Sequence, residues 1–206
     1  MVSIRKFEVG YMPTNCYVLS SNGIAVIVDP GGGYGKIEAY LKENGLKAVA
    51  VLLTHGHFDH ILDAHKWEKA GLRILIHEDD ASCLASPEYS LASMVGLTIP
   101  PVKNYETFSD GEKLVFDTLS VRVIHTPGHT KGGCCFELED GTLFSGDTLM
   151  CETHGRTDFP GGSSEQIADS IKHKLFTLEG DRMVYPGHGD STTLNHERRF
   201  NPVLYL

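Results

Sequence analysis

The feature that most constrains this chain is a cluster of metal-binding residue types directly after an apolar run. Residues 48–53, Ala-Val-Ala-Val-Leu-Leu, are typical of a buried β-strand. The chain continues as Thr-His-Gly-His-Phe-Asp-His, which places His55, His57, Asp59 and His60 within six residues. So many polar groups at the end of a buried strand are costly unless they bind something. Imidazole nitrogen and carboxylate oxygen are ligands that suit zinc and its neighbours in the first transition row.

Three further candidates follow downstream, each beside Gly or Pro and each after a strand-like segment. They are His129 in Thr-Pro-Gly-His-Thr, Asp147 in Ser-Gly-Asp-Thr and His188 in Pro-Gly-His-Gly. Glycine and proline favour tight backbone turns, and loops held by a rigid scaffold are where active sites are commonly built. We therefore expect every candidate to lie on a loop at a strand end and to face a common centre.

The order of these motifs resembles the metallo-β-lactamase superfamily over nearly the whole chain, and within it the glyoxalase II-like hydrolases. Residues 155–162, Gly-Arg-Thr-Asp-Phe-Pro-Gly-Gly, are similar to a loop of glyoxalase II-like and persulfide dioxygenase-like members. The resemblance implies an α/β (α+β) fold, a four-layer αββα sandwich of two mixed β-sheets with helices on the outside. We expect residues 1–206 to form one such domain.

The resemblance also implies two divalent metal ions, with zinc preferred and iron or manganese as alternatives. In the family pattern the first ion is held by His55, His57 and His129, the second by Asp59, His60 and His188, and Asp147 bridges both. Asp59 and Asp147 are the carboxylates assigned to catalysis; they offset part of the metal charge and are not spare general bases. Asp29 ends a predicted strand, and it either accepts a ring N–H from a ligand histidine or caps a turn.

The expected chemistry is hydrolysis of a small-molecule thioester. Two divalent ions about 3.5–4 Å apart lower the pKa of a shared water toward neutrality, which makes a bridging hydroxide nucleophile. A thiolate, with a free-thiol pKa of about 8.5, leaves with little acid assistance. We therefore predict a dinuclear glyoxalase II-like thioesterase. The resemblance leaves two alternatives, a mononuclear iron persulfide dioxygenase that uses His55, His129 and Asp147, and a lactonase.

Composition excludes several other classes of function. The 27 Asp and Glu residues outnumber the 18 Lys and Arg residues, and the net charge of -9 argues against a nucleic-acid partner. The apolar runs are too short to cross a bilayer, and residues 1–20 lack the pattern of a signal peptide. Five cysteines without a C-x-x-C pair indicate free thiols in a reducing compartment. We therefore expect a cytoplasmic protein with no membrane partner.

Hydrophobic periodicity predicts strands interleaved with helices. The predicted strands cover residues 2–9, 14–20, 24–28, 48–53, 73–77, 113–117, 119–124, 133–138, 142–144 and 183–185. The predicted helices cover residues 34–44, 61–70 and 163–178, the last of which starts with the capping-box pattern Ser-Ser-Glu-Gln. Residues 85–104 have weak periodicity and several prolines, and we expect a covering helix plus a loop at the rim of the pocket.

Overall fold

Two six-stranded β-sheets form the centre of the structure, a computed structural model that describes residues 2–206. The first sheet runs in chain order: Ser3–Val9 (β1), Thr14–Ser21 (β2), Ile24–Val28 (β3), Lys47–Leu52 (β4), Arg73–His77 (β5) and Glu106–Phe108 (β6). The second contains Lys113–Phe116 (β7), Leu119–His125 (β8), Cys134–Leu138 (β9), Leu143–Gly146 (β10), Met183–Pro186 (β11) and Thr192–Thr193 (β12). Its spatial order is β12-β11-β10-β9-β8-β7. Both sheets contain parallel and antiparallel pairs, as predicted.

Five α-helices lie among the described residues. They are Tyr34–Glu43 (α1), Phe58–Ile61 (α2), Ala64–Lys69 (α3), Ser164–Asp169 (α4) and Leu194–Phe200 (α5). Three short 3₁₀ segments, Glu78–Leu84, Ala92–Val95 and Pro202–Tyr205, and a π-helical turn, Ser170–Leu175, complete the helical structure. Within residues 2–206, no helix has both the length and the apolar character that a membrane span requires.

Alternate side chains of the inner strands face opposite layers, as the two-residue period of a strand requires. On β3, Ala25 and Ile27 belong to the core shared with α1 and α3, whereas Val26 and Val28 face the second sheet. A strand that is covered on both faces needs an apolar side chain at nearly every position. This requirement explains why the run before the histidine motif is wholly apolar.

Three apolar cores therefore separate four layers. The core between the sheets takes side chains from both, including the fully buried Phe136 and Leu52. A second core joins the first sheet to α1 and α3, and a third joins the second sheet to α4 and α5. Burial of one such large side chain stabilises the fold by about 1.5–3 kcal/mol. The predicted αββα sandwich is confirmed.

The predicted helix over residues 61–70 is wrong in its bounds. The helical turn α2 begins inside the histidine motif, at Phe58, and the chain leaves it before α3 begins. The break lies at Asp63, whose N–H donates to the carbonyl of Pro30 at 2.9 Å. Its carboxylate accepts from the Tyr34 N–H at 2.9 Å. Asp63 is thus bonded to Pro30 and to the first residue of α1, and these bonds interrupt the helix at this residue.

The predicted helix over residues 163–178 begins as expected but does not stay regular. The Ser163 hydroxyl accepts a hydrogen bond from the Gln166 N–H at 3.3 Å, which is half of a capping box. After α4 the chain widens into the π-helical turn. The widening starts at Ser170, whose hydroxyl donates to the Pro127 carbonyl at 2.8 Å. The C-terminal half of this helix is therefore shaped by the loop that carries His129.

Several elements of the structure could not be predicted from the sequence. Strands β6 and β12 have three and two residues, too few for a hydrophobic period. Helix α5 was also not predicted. Residues 85–104 contain no α-helix, contrary to the expectation, and their one regular element is the 3₁₀ turn Ala92–Val95. Leu91 before that turn has a φ of 63°, which no helix tolerates.

Gly128, in the Thr-Pro-Gly-His-Thr motif, lets the loop contact α4 directly. A Cβ atom at this position would lie 2.2 Å from the backbone nitrogen of Ile167, and φ is +133°. The Gly128 carbonyl also accepts a hydrogen bond from the Ser163 N–H at 2.8 Å. The motif glycine is therefore needed for packing, and it fixes the position of the residue that follows it.

We expect Gly128→Ala to lower the free energy of unfolding by about 2–4 kcal/mol. Overpacking costs roughly 1–3 kcal/mol, and the positive φ adds about 1 kcal/mol. Urea denaturation measures this loss. Gly71→Ala is the matched control, since Gly71 also has a positive φ, +88°, but no atom lies within 4 Å of the added Cβ. This variant should lose only about 1 kcal/mol of unfolding free energy, the cost of the positive φ. Equal losses in the two variants would contradict a steric role for α4.

Candidate metal centre

The seven side chains predicted to bind metal lie at the C-terminal ends of four strands. His55 and His57 follow β4, His129 follows β8, Asp147 follows β10 and His188 follows β11. Asp59 and His60 were also expected to lie on a loop, but both belong to α2. Two consecutive residues of the motif thus come from one helical turn, and both reach the same centre. All seven are brought together.

The first group consists of His55, His57 and His129. One ring nitrogen from each lies within 4.8 Å of the other two, and all three residues are buried. Nδ1 of His57 is 2.9 Å from Nε2 of His129. Two loops from different sheets therefore bring three imidazoles together, and this set is the one that the resemblance assigns to the first ion.

The second group consists of Asp59, His60 and His188. Nε2 of His188 is 3.2 Å from Oδ2 of Asp59 and 3.3 Å from Nε2 of His60. Nε2 of His60 is 3.6 Å from the same carboxylate oxygen. Ligand atoms about 3.3 Å apart are expected around a tetrahedral ion with bonds of about 2.0–2.1 Å. The spacing of this group fits one ion.

Asp147 lies between the two groups. Its Oδ1 is 3.4 Å from Nε2 of His60, and its Oδ2 is 3.5 Å from Nε2 of His129 and 3.6 Å from Nε2 of His188. Oδ1 is buried without a hydrogen-bond partner, and so is Nε2 of His55. A buried polar atom without a partner costs about 1–3 kcal/mol. Bound cations between the groups would satisfy both atoms, so the donor set fits divalent metal ions.

Hydrogen bonds to the outer ring nitrogens determine which nitrogen faces the centre. Nδ1 of His129 lies 2.7 Å from the Arg156 carbonyl, and Nδ1 of His188 lies 2.8 Å from the Pro13 carbonyl. A carbonyl oxygen only accepts, so both Nδ1 atoms carry protons, and Nε2 is left to bind an ion. Neither backbone carbonyl could be identified from the sequence, because each comes from a distant segment.

Asp29 lies at the predicted position and does more than cap a turn. Its Oδ2 accepts from Nδ1 of His60 at 2.9 Å and from the Thr54 hydroxyl at 2.7 Å, and its Oδ1 accepts from the Thr54 N–H at 2.8 Å. Because the Thr54 hydroxyl donates to Asp29, it can accept from Nδ1 of His55, 3.1 Å away. One buried carboxylate therefore orients two histidines of the centre, one directly and one through Thr54.

The electrostatics of the centre favour added positive charge. Burial and the neighbouring His129 lower the pKa of His57 to about 3, so this ring stays neutral. Burial opposes a charge on His60, but Asp147, Asp59 and Asp29 outweigh it and raise its pKa. Burial likewise opposes ionisation of Asp147, yet the neighbouring histidines hold its pKa well below the usual range. Asp147 is therefore ionised, which is the state in which a carboxylate binds metal, and the raised pKa of His60 indicates that this part of the centre stabilises positive charge.

Asp80, which is not one of the predicted site residues, joins the two histidine loops. Its carboxylate is buried and accepts from the Gly56 N–H at 2.9 Å, the Thr130 hydroxyl at 2.7 Å and the Gly132 N–H at 2.8 Å. Gly56 lies between His55 and His57. The bonds therefore hold the loop after β4 against the loop after β8. No local motif marks Asp80, since its partners are distant in sequence.

A cavity of about 450 Å³ opens beside the centre. Its polar wall belongs to the centre and consists of His57, Asp59, His129, Asp147 and His188. The rest of its lining is mainly apolar: Met12, Phe58, Leu91, Met94, Val95, Met150 and Phe159, together with Gly155 and Arg156. A small-molecule site typically combines apolar walls with a few converging polar groups. These lining residues could not be identified from the sequence, because most of them come from irregular segments.

The chain belongs to the metallo-β-lactamase superfamily, whose family model matches residues 9–188. Proteins of this family bind divalent metals, and the buried His and Asp groups described above give this chain candidate sites. The resemblance found in the motifs is thereby confirmed at the level of the superfamily. The same finding makes a metal-dependent hydrolase the broad class of this chain.

Two curated relatives and two solved structures illustrate the similarity. The probable metallo-hydrolase YqgX of Bacillus subtilis is 37% identical, over 97% of this chain and 96% of its own length. Hydroxyacylglutathione hydrolase GloC of Haemophilus influenzae is 35% identical, over 87% of each chain. The BLEG-1 B3 metallo-β-lactamase superposes with a TM-score of 0.92 at 33% identity, covering 98% of this chain and 99% of its own. A protein solved in a di-iron-bound form has a TM-score of 0.86 at 33% identity, covering 98% of this chain and all of its own.

We expect Asp29→Asn to weaken metal binding roughly 10–100-fold, because loss of a partner that orients a ligand histidine typically has that effect. The amide still fills the space but has only one oxygen for the His60 ring N–H and the two Thr54 donors. Chelator competition measures the affinity. Asp63→Asn is the control, since Asp63 is also a buried carboxylate but bonds outside the centre. Similar losses of affinity in both variants would contradict the assignment.

Proposed function

We propose that this protein is a dinuclear metal-dependent hydrolase that acts on thioesters. The observation that carries the proposal is the position of Asp147 between the two groups. Its Oδ2 lies 3.5 Å from Nε2 of His129 and 3.6 Å from Nε2 of His188, and its Oδ1 lies 3.4 Å from Nε2 of His60. A bridging carboxylate is the feature expected of a paired site and is not needed by a single ion. In this assignment His55, His57 and His129 would hold one ion, Asp59, His60 and His188 would hold the other, and Asp147 would contribute to both.

Two bound divalent ions supply an activated water at neutral pH and positive charge for a developing oxyanion. The chain itself contributes orientation. The proton on Nδ1 of His129 is held by Arg156 and that of His188 by Pro13, so neither ring can turn without losing a hydrogen bond of 2.7–2.8 Å. Ionised Asp59 and Asp147 offset part of the dication charge. The seven groups therefore form a rigid set, with its open side toward the apolar cavity.

A thioester is the preferred substrate for two reasons. Its leaving group is a thiolate, which departs without a general acid, and within residues 2–206 the cavity wall offers no carboxyl group outside the proposed ligand set. The second reason is the similarity to a hydroxyacylglutathione hydrolase. The similarity to a di-iron-bound protein supports a paired site without deciding which metal this chain takes. We propose zinc first, with iron or manganese as alternatives.

The single-iron persulfide dioxygenase remains the second candidate. It would use His55, His129 and Asp147, and it gives no role to the inward-facing nitrogens of His60 and His188. Those nitrogens lie 3.3 Å apart beside Asp59, and a second ion would bind both of them. This pair of rings is the reason to prefer a two-ion hydrolase. A lactonase would use all seven groups and differs from a thioesterase only in its substrate.

We expect His57→Ala and Asp147→Asn to lower kcat/KM for thioesters by about 10²-fold or more in metal-loaded protein, because each removes a group that holds the charge stabilising the transition state. The assay follows release of free thiol, and metal content is measured on the same samples. His173→Ala is the control, an exposed histidine of the π-helical turn, and it should leave turnover within about twofold. Full turnover in either site variant with full metal content would contradict the ligand set.

Metal content and oxygen uptake separate the two candidate reactions. We expect protein reconstituted separately with zinc, iron and manganese to bind two ions per chain and to consume no oxygen with glutathione persulfide. The zinc form should hydrolyse a thioester panel that includes S-lactoylglutathione, and lactones should react more slowly. If the protein bound one iron per chain and consumed oxygen rapidly, the dioxygenase would be the correct function and the proposed hydrolase would be wrong. Faster turnover of lactones than of thioesters would favour the lactonase.

A further inference from the structure

We propose that the cavity beside the centre selects uncharged thioesters that carry an aliphatic chain, and that Met94 is a specificity-determining residue for that chain. The inference rests on the proposed hydrolysis of thioesters and adds the class of substrate. It also gives a role to the irregular segment around Leu91, which takes no part in holding the metal ions.

The cavity is continuous with the reacting centre. Asp147, His129 and His188 lie on its wall, and seven apolar side chains line the rest of it. Three of these apolar side chains are more exposed than is usual for their type: Met12 at 47%, Met94 at 65% and Val95 at 48%. Apolar groups left open to water beside a polar centre indicate a surface that a ligand covers. A chain extending from the thioester would cover them.

The charges of the lining disfavour an anionic arm. Among residues 2–206, no lysine lines this cavity, and its one guanidinium, that of Arg156, is already paired. Arg156 donates twice to Asp158, at 2.6 Å each, and stacks over the Phe159 ring at 4.0 Å. A glutathione arm carries two carboxylates, and neither would find a free cation of the protein here. A substrate whose chain is uncharged needs no cation in the cavity.

The apolar wall of the cavity is held in place by the histidine motif that supplies several of the proposed ligands. The Phe58 N–H, within the histidine motif, donates to the Ser90 carbonyl at 2.8 Å. The next residue, Leu91, is 5% exposed and has a φ of 63° and ψ of 8°. A leucine rarely adopts this left-handed conformation, and such strain persists where the surroundings fix it. The strained backbone places the Leu91 side chain in the cavity wall and leads directly into the turn that carries Met94.

Methionine suits a wall that must fit chains of different length. Its unbranched thioether side chain has three rotatable bonds and adapts to its contacts. Met12 and Met94 lie at the rim, and Met150 lies deeper, where it is only partly exposed. The expected specificity is therefore graded by chain length and has no sharp cut-off. Each methylene that enters the cavity should raise kcat/KM about threefold.

The test uses zinc-loaded protein and two series of uncharged thioesters. One series varies the acyl group from acetyl to hexanoyl on N-acetylcysteamine, and the other varies the thiol from ethyl to hexyl on an acetyl group. We expect kcat/KM to rise about 10²-fold over four methylenes in one of them, which identifies the arm that occupies the cavity. S-lactoylglutathione should react more slowly than the hexanoyl thioester. Flat profiles in both series would overturn the inference and leave thioester hydrolysis intact.

A matched pair of variants tests Met94. Met94→Ser should reduce the dependence on chain length, whereas Met183→Ser should not, since Met183 is also exposed but lies on β11 outside the cavity. Met94→Lys should lower turnover of the hexanoyl thioester and raise that of S-lactoylglutathione. If both serine variants changed the dependence on chain length equally, Met94 would not be a specificity-determining residue.

A binding experiment separates this inference from the proposed reaction. N-hexylacetamide and N-ethylacetamide contain no thioester, and calorimetry gives their affinities directly. We expect the hexyl compound to bind about 10²-fold more tightly to the wild type, and Met94→Ser to reduce the difference. If no thioester is hydrolysed but the hexyl compound still binds more tightly than the ethyl compound, the proposed reaction is wrong and the preference of the cavity for aliphatic chains is supported. Equal affinities for the two compounds would overturn the cavity's role whatever the reaction proves to be.

Discussion

The structure depends on a collection of electron-pair donors that repel one another unless positive charge lies between them. Five imidazoles and two carboxylates converge, with distances of 2.9–3.6 Å between atoms of different side chains. Such a set is unfavourable in a protein interior, as the partnerless Oδ1 of Asp147 and Nε2 of His55 indicate. The β-sandwich compensates for this cost through its apolar cores, and bound cations would remove it.

Rigidity of the centre comes from hydrogen bonds that lie outside it. Asp29 orients His60 directly and His55 through Thr54, and Asp80 holds the loop after β4 against the one after β8. Backbone carbonyls of Pro13 and Arg156 fix the rings of His188 and His129. Each partner belongs to a different part of the chain, so the centre forms only when both sheets have assembled. This coupling of folding and site is common in metal centres, where binding energy also contributes to folding energy.

The centre and the cavity are built from different kinds of structure. The ligands lie at the ends of regular strands and on one helical turn, where the backbone is fixed by neighbouring hydrogen bonds. The apolar wall comes from irregular segments, including the 3₁₀ turn at Met94 and the loop that carries Phe159. Loops tolerate substitution more readily than strands. The candidate ligands and the apolar wall therefore depend on different parts of the chain.

The sequence by itself determined the architecture and the identity of the candidate ligands, because both depend on local patterns. Strand periodicity and the order of the motifs predicted two mixed sheets with outer helices, and the spacing of His55, His57, Asp59 and His60 marked the centre. The helix bounds at Asp63 and Ser170 were decided by hydrogen bonds to Pro30 and Pro127, which no local pattern contains. The role of Asp80, the proton positions on the rings and the Leu91 and Met94 wall were decided only by tertiary structure. Each of these depends on the distance between segments far apart in the chain, and that distance is set by packing of the two sheets.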